Sequence, residues 1–244
     1  MSLFADPRKW SDATISVLVC DDGAVGRRQL TVALEACDHI EVVAEADGGD
    51  AALSEALEST PDVVWLGLGL PGLSAVRTIA SVAELVPNAR FVVMSGPDDA
   101  EARGRALRVG AHAVVRREEA PALAVAVTER VAWGRAWLEA RDVAGLRDAH
   151  AALGRQAASV QQALAPPRLD PGVAELLDAL AEGPSTSEVA QARGLDEAVV
   201  EGALADALAL LHRHARTEAM AYSVANPGAA HDEAPGAEVA RSET

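Results

Sequence analysis

From Ile15 onward the chain alternates short apolar runs with stretches whose apolar residues recur at helical spacing. The runs predict strands at Ile15–Cys20, Glu41–Ala46, Asp62–Leu66, Arg90–Ser95 and Ala113–Val115. Between them the spacing predicts helices at about 24–36, 48–58, 74–86 and 98–109. A fifth starts near Pro121, where a first-turn proline forfeits no needed donor. Strand and helix in alternation imply βαβ units, and the near-continuous Val, Leu and Ile of the runs fit parallel strands covered on both faces. The expected fold class is α/β, a five-stranded doubly wound parallel sheet, followed by a helical linker and a small all-α domain.

The alanine-rich stretch Ala140–Ala165 carries Leu146, Leu153 and Val160 seven residues apart. That spacing fits either a thin coiled-coil seam or a linker helix lying on its own domain. Pro166-Pro167 ends the helix. Residues 169–225 read as a compact helical unit with breaks at Gly183-Pro184, Gly194 and His212. The resulting division is a leader (1–13), the α/β domain (14–120), its last helix with the linker (121–167), a helical domain (168–225) and a tail (226–244). The tail mixes Pro, Gly, Ala and charge without periodicity and is expected to be disordered.

Half of the 244 residues are apolar, enough for a packed core, and the formal net charge is −16. That balance argues against broad attraction to nucleic acid or anionic membrane, both negative themselves. Cys20 and Cys37 are the only cysteines. Neither a signal peptide nor a long apolar span is visible, so a cytoplasmic location is expected, and no membrane partner. Cys20 lies inside an apolar run and is read as a packing residue; without CxxC spacing, a disulfide or a metal pair is not expected. His112 is read as a surface histidine with no special role. His212 and His214 beside Arg213 and Arg216 could form a small basic edge, but a solvated helix end is the expectation.

Ile15–Asp22, Asp62–Gly72, Arg90–Ser95 and Gly110–Arg117 together resemble the strand ends of response-regulator receiver domains, over about residues 14–140. The resemblance implies a flavodoxin-like sheet and a phosphotransfer pocket that works by positioning. By position, Asp21 and Asp22 match the acidic pair that holds Mg²⁺, Ser95 the hydroxyl, and Arg117 the usual lysine. Val114 falls on the aromatic switch position. Gly67 falls on the aspartate that accepts the phosphoryl group. A glycine has no nucleophile, so no acyl-phosphate can form there. Its loss also takes a ligand from any Mg²⁺, leaving weak binding at Asp21 and Asp22 at most. Arg117 is positioned to pair with those two acids and relieve their repulsion. No catalytic residue and no cofactor are expected.

Leu169–Gly183 and Ser187–Val200 resemble the LuxR/NarL-type helix-turn-helix, with Val189, Ala190, Leu195, Val200, Leu204, Leu208 and Leu211 at packing positions. In that family the helix near Asp196 enters the major groove with basic residues outward. Here the face carries Asp196, Glu197, Glu201, Gly202 and Asp206, and residues 169–222 hold ten carboxylates against three arginines. A carboxylate about 4 Å from a phosphate costs on the order of 4 kcal/mol at an effective dielectric near 20. DNA binding by the isolated protein is therefore expected to be weak or absent.

The leading expectation is a phosphorylation-independent, response-regulator-like transcriptional regulatory protein that works through protein contacts. Its partners would be proteins, including a DNA-binding relative, in a homo- or heterodimer. Two alternatives stand beside it: a sequence-specific DNA-binding factor of the LuxR family, and a small-ligand sensor using the vacated pocket around Gly67, Ser95 and Arg117. An enzyme is not expected, because no phosphate loop, metal-ligand cluster or nucleophile–base arrangement is visible.

Overall fold

The computed structural model describes residues 14–96, 100–159 and 169–225, with the side chains of 100, 152–159 and 216–225 left aside. The proposed leader, the tail, the Pro166-Pro167 boundary and Val160 lie outside the described residues. Five strands form one parallel sheet: β1 (Ile15–Cys20), β2 (Ile40–Ala46), β3 (Val63–Gly67), β4 (Arg90–Ser95) and β5 (Ala111–Arg116). Their order, β2-β1-β3-β4-β5, is that of flavodoxin-like folds. β1 and β3–β5 are buried along almost their whole length, as their unbroken apolar runs require, whereas edge strand β2 alternates buried and exposed positions.

The helices between the strands are α1 (Ala24–Glu35), α2 (Gly49–Ser59), α3 (Ala75–Leu85) and α4 (Ala100–Val109); α5 (Ala120–Ala132) follows β5. One apolar cluster joins the sheet to α1 and α5, and there the Trp65 indole N–H finds the Thr128 hydroxyl at 2.9 Å. After α5 the chain turns back along β5. Val114 N–H donates to Trp137 O (3.1 Å) and Trp137 N–H to His112 O (3.2 Å), which covers part of the sheet edge.

The C-terminal half comprises α6 (Ala140–Ser159), α7 (Pro171–Ala181), α8 (Thr186–Arg193) and α9 (Glu197–Ala225). Asp170 caps α7 through Gly172 N–H. Ser185 and Glu188 form a reciprocal capping box on α8. Gly194 ends α8 at φ 65°, a left-handed turn suited to glycine, and fixes the angle at which α9 leaves. Helix α9 runs unbroken through His212, where the sequence reading placed a break. A histidine costs a helix only a few tenths of a kcal/mol, and apolar positions recur on both sides of it, so the packed face continues.

The second cluster spans both halves: Ala106, Leu107, Val114 and Val143 share it with Leu177, Leu180, Leu204, Leu208 and Leu211. Leu146, 1% exposed, is inside it, so the first seam position is filled within the chain and is not offered to a second copy. Nothing is described for the side chain of Leu153.

Candidate functional site

Because β1 and β3 are neighbours while their helices lie on opposite faces, the carboxyl ends of β1, β3, β4 and β5 open onto one crevice. The structure brings Asp21, Asp22, Gly67, Ser95 and Arg117 to that crevice. Asp21 is buried and Asp22 exposed. Arg117 N–H donates to Ser95 O (2.9 Å), which aims its side chain back across the strand ends. Its Nη1 donates to Asp21 Oδ1 and lies 3.3 Å from Asp22 Oδ1. A Cβ on Gly67 would collide with Asp21 Oδ1 and sit 2.9 Å from Arg117 Nη2. The acid–arginine pair thus occupies the space that a side chain on Gly67 would need.

Burial pushes the Asp21 carboxyl above its ordinary value even though Arg117 pulls it down, with Asp22 adding repulsion. The neighbouring Cys20 thiol is pushed up to about 12, first by burial and then by Asp21, so it stays protonated and packs as a small hydrophobe.

The Ser95 hydroxyl is fully buried and does not face open space. It accepts from Arg103 Nη1 (2.9 Å), and Arg103 in turn makes a two-pronged pair with Asp142 at 3.0 and 2.7 Å. Arg103 and Asp142 are themselves 3% and 4% exposed, so a charged pair buried in the protein ties the end of β4 to the start of α6. Sequence reasoning missed both residues; nothing about Arg103 within α4 or Asp142 within α6 distinguishes them from ordinary helix-surface charges. Val114 is buried in the β5 core beneath the Trp137 segment, with no ring to swing.

Neither Gly67 nor Ser95 lines the cleft beside Arg117. That cleft, of about 300 Å³, opens toward α1 and α5 between Asp21, Gln29, Met94, Arg117 and Pro121. The ligand space imagined around Gly67 and Ser95 is filled instead by the Arg117 and Arg103 side chains.

Asp196, just before α9, and Glu197, Gly202 and Asp206 on it are exposed, but Glu201 is not. The sequence reading set Glu201 outward as a charge repelling DNA. It is 7% exposed, pairs with Arg130 of α5, and lies 3.3 Å from Arg135. The correction is physical: two arginines of the first domain compensate the carboxylate, so burying it is tolerable. His212 is likewise buried, against the expectation of a solvated helix end. Its Nε2–H donates to Leu107 O (2.9 Å), and its ring meets the His112 ring edge-on at 5.1 Å. His112 also accepts from Phe91 N–H at 3.2 Å, so it is a contact between the halves and not an idle surface residue.

A five-stranded receiver-type sheet packed against a C-terminal group of helices is the class this geometry defines. Residues 17–128 match the response regulator receiver domain family. The transcriptional regulatory protein LiaR of Bacillus subtilis is 26% identical over 212 residues, 87% of this chain and 98% of LiaR. Together these support a response regulator. RcsB of Salmonella typhimurium shares the fold, with a TM-score of 0.51 at 16% identity over 82% of this chain and 98% of that one. A protein-glutamate methylesterase/protein-glutamine glutaminase of Geobacter sulfurreducens is 35% identical over 97 residues, 40% of this chain. The chain spans only 26% of that relative's length, within the receiver region.

Proposed function

We propose that this protein is a transcriptional regulatory response regulator that signals without phosphorylation, through contacts with other proteins. The observation that carries the reading is the Asp21–Arg117 pair lying over Gly67: position 67 itself offers no carboxylate to accept phosphate, and an arginine supplies the positive charge a metal would bring. The burial of Glu201 adds to it, because the face of α9 that would enter a DNA groove is turned in part against the receiver. In this form the regulator presents exposed acids, Asp196, Glu197 and Asp206, to a protein partner. Catalysis has no part in the reading.

Incubation with acetyl phosphate and Mg²⁺, followed by intact-mass measurement, tests it. Mass and oligomeric state stay unchanged; a stoichiometric gain of one phosphoryl group would overturn the proposal.

A second reading, a DNA-binding factor, is favoured by the similarity that runs through nearly all of LiaR, a transcriptional regulator. It requires α9 to leave the receiver first. Titration of genomic fragments at low salt separates the two: tight, salt-sensitive binding by the pure protein supports this second reading.

A further inference from the structure

Helix α1 and β2 are joined by the turn Cys37–Asp38–His39, which the backbone holds firmly. Cys37 N–H donates to Leu34 O (3.1 Å), Ile40 N–H to Cys37 O (3.0 Å) and Ile15 N–H to His39 O (2.8 Å). The turn brings the His39 ring against Glu129 of α5, its Nε2 2.7 Å from Glu129 Oε1 and 3.6 Å from Cys37 Sγ. One donor atom from each of the three residues lies within 4.8 Å of the others. None of them belongs to the Gly67 crevice or to the contact between the two halves.

We propose that Cys37, His39 and Glu129 form a binding site for a divalent transition ion of the zinc class. Thiolate, imidazole and carboxylate together are the donor set that zinc takes and that magnesium and calcium do not. With bonds of about 2.3 Å to sulfur and about 2.0–2.2 Å to nitrogen and oxygen, a tetrahedral ion requires edges of about 3.6 Å (S–N) and about 3.3 Å (N–O). The edge from sulfur to Nε2 already has that length, with Nδ1 of the same ring at 3.3 Å, and the sulfur–carboxylate edge lies within 4.8 Å. The nitrogen–oxygen edge must open by roughly 0.6 Å to reach the tetrahedral value, a small swing for the half-buried Glu129 arm. Thiolate and carboxylate balance the ion's two charges, and the half-exposed His39 leaves the fourth position to water.

Binding releases the Cys37 proton, because the thiolate is the ligand. It also clamps the α1–β2 turn to α5 one residue before Arg130, the partner of Glu201.

Titration of the metal-free full chain with Co²⁺ at neutral pH under inert gas tests the site. One equivalent is taken up, with a thiolate-to-cobalt charge-transfer band and intense visible bands that Zn²⁺ abolishes by displacement. C37S removes the charge-transfer band; H39Q and E129Q weaken binding by more than the about 10–100-fold that outer-shell changes cost. Where a variant fails to fold, protection of wild-type Cys37 from alkylation by Zn²⁺, read by peptide mass, serves instead. Absence of stoichiometric uptake, a charge-transfer band that survives C37S, unchanged affinity in both H39Q and E129Q, or alkylation indifferent to Zn²⁺ would each overturn the proposal.

Discussion

Glu201 of α9 and Arg130 of α5 form an ion pair that joins the helix-turn-helix to the receiver, with Arg135 as a second cation on the same carboxylate. The carboxylate is almost fully buried, while the Arg130 side chain is 26% exposed. Removing the acid therefore strands arginines that water can partly recover. E201Q is expected to cost about 1–3 kcal/mol in urea denaturation. The same variant should raise the particle's radius of gyration in X-ray scattering if this pair holds the halves together; an unchanged radius and unchanged stability would remove that role.

Arg103 and Asp142 lie deeper than that pair; removing Arg103 strands the buried Asp142 carboxylate, and removing Asp142 leaves Arg103 only the more distant Glu139 at 3.7 Å. R103M and D142N are each expected to lose about 3–5 kcal/mol. The double variant should lose less than the sum of the two, a coupling that a double-mutant cycle would read. S95A, which removes only a hydroxyl that accepts from Arg103, should cost about 1 kcal/mol.

A methyl group on Gly67 meets the ends of the Asp21 and Arg117 side chains, which must shift to admit it. G67A is expected to destabilise by about 1–3 kcal/mol through overpacking. G67D adds a third carboxylate beside Asp21 and Asp22 and should cost more, unless Mg²⁺ is supplied and Arg117 gives way. A chemical denaturation midpoint for G67A equal to the wild type would show that the crevice is looser than its packing implies.

Gly202 gives the opposite expectation. It sits exposed in the second turn of α9, and a Cβ there meets no neighbouring group. G202A should stabilise the protein by about 0.5–1 kcal/mol, because alanine loses less backbone entropy than glycine on entering a helix. Thermal unfolding of the two proteins side by side is sufficient to check it.

Asp21 gives the protein a definite pH signature. Its folded carboxyl holds its proton to higher pH than the unfolded one, with burial the main cause. Above the ordinary value of about 3.9 the native state therefore binds more protons than the unfolded chain, and stability falls as pH rises through the raised value. Relative to D21N, the wild type should be at its best below that window and lose ground across it. Urea titrations of both proteins at stepped acidic pH would show the slope, and a difference that grows with pH would contradict the assignment.

How much of this was legible beforehand differs from element to element. The five strands and their helices were readable because burial on both faces of a parallel sheet demands unbroken apolar runs. Boundaries moved by only a residue or two, as at β2, which starts at Ile40, and β3, which ends at Gly67. The glycine at the end of β3 was equally plain, since the identity of a residue is written directly in the sequence. Where charged side chains go was harder. Glu201 looked like a surface acid because helix periodicity cannot tell solvent from a second domain carrying two arginines. The same limit hid Arg103 with Asp142, and it placed His112 and His212 in solvent.

Sequence alone thus determined what the chain is unable to do at Gly67, for a nucleophile either is encoded or is not. It also determined the layered architecture, because the periods of hydrophobic burial are local. Only tertiary structure decided that Arg103 takes the Ser95 hydroxyl, that Leu146 is spent inside its own core, and that Cys37 and His39 meet Glu129 across ninety positions of chain. Those outcomes depend on distances between segments far apart along the polypeptide, and no local pattern carries them.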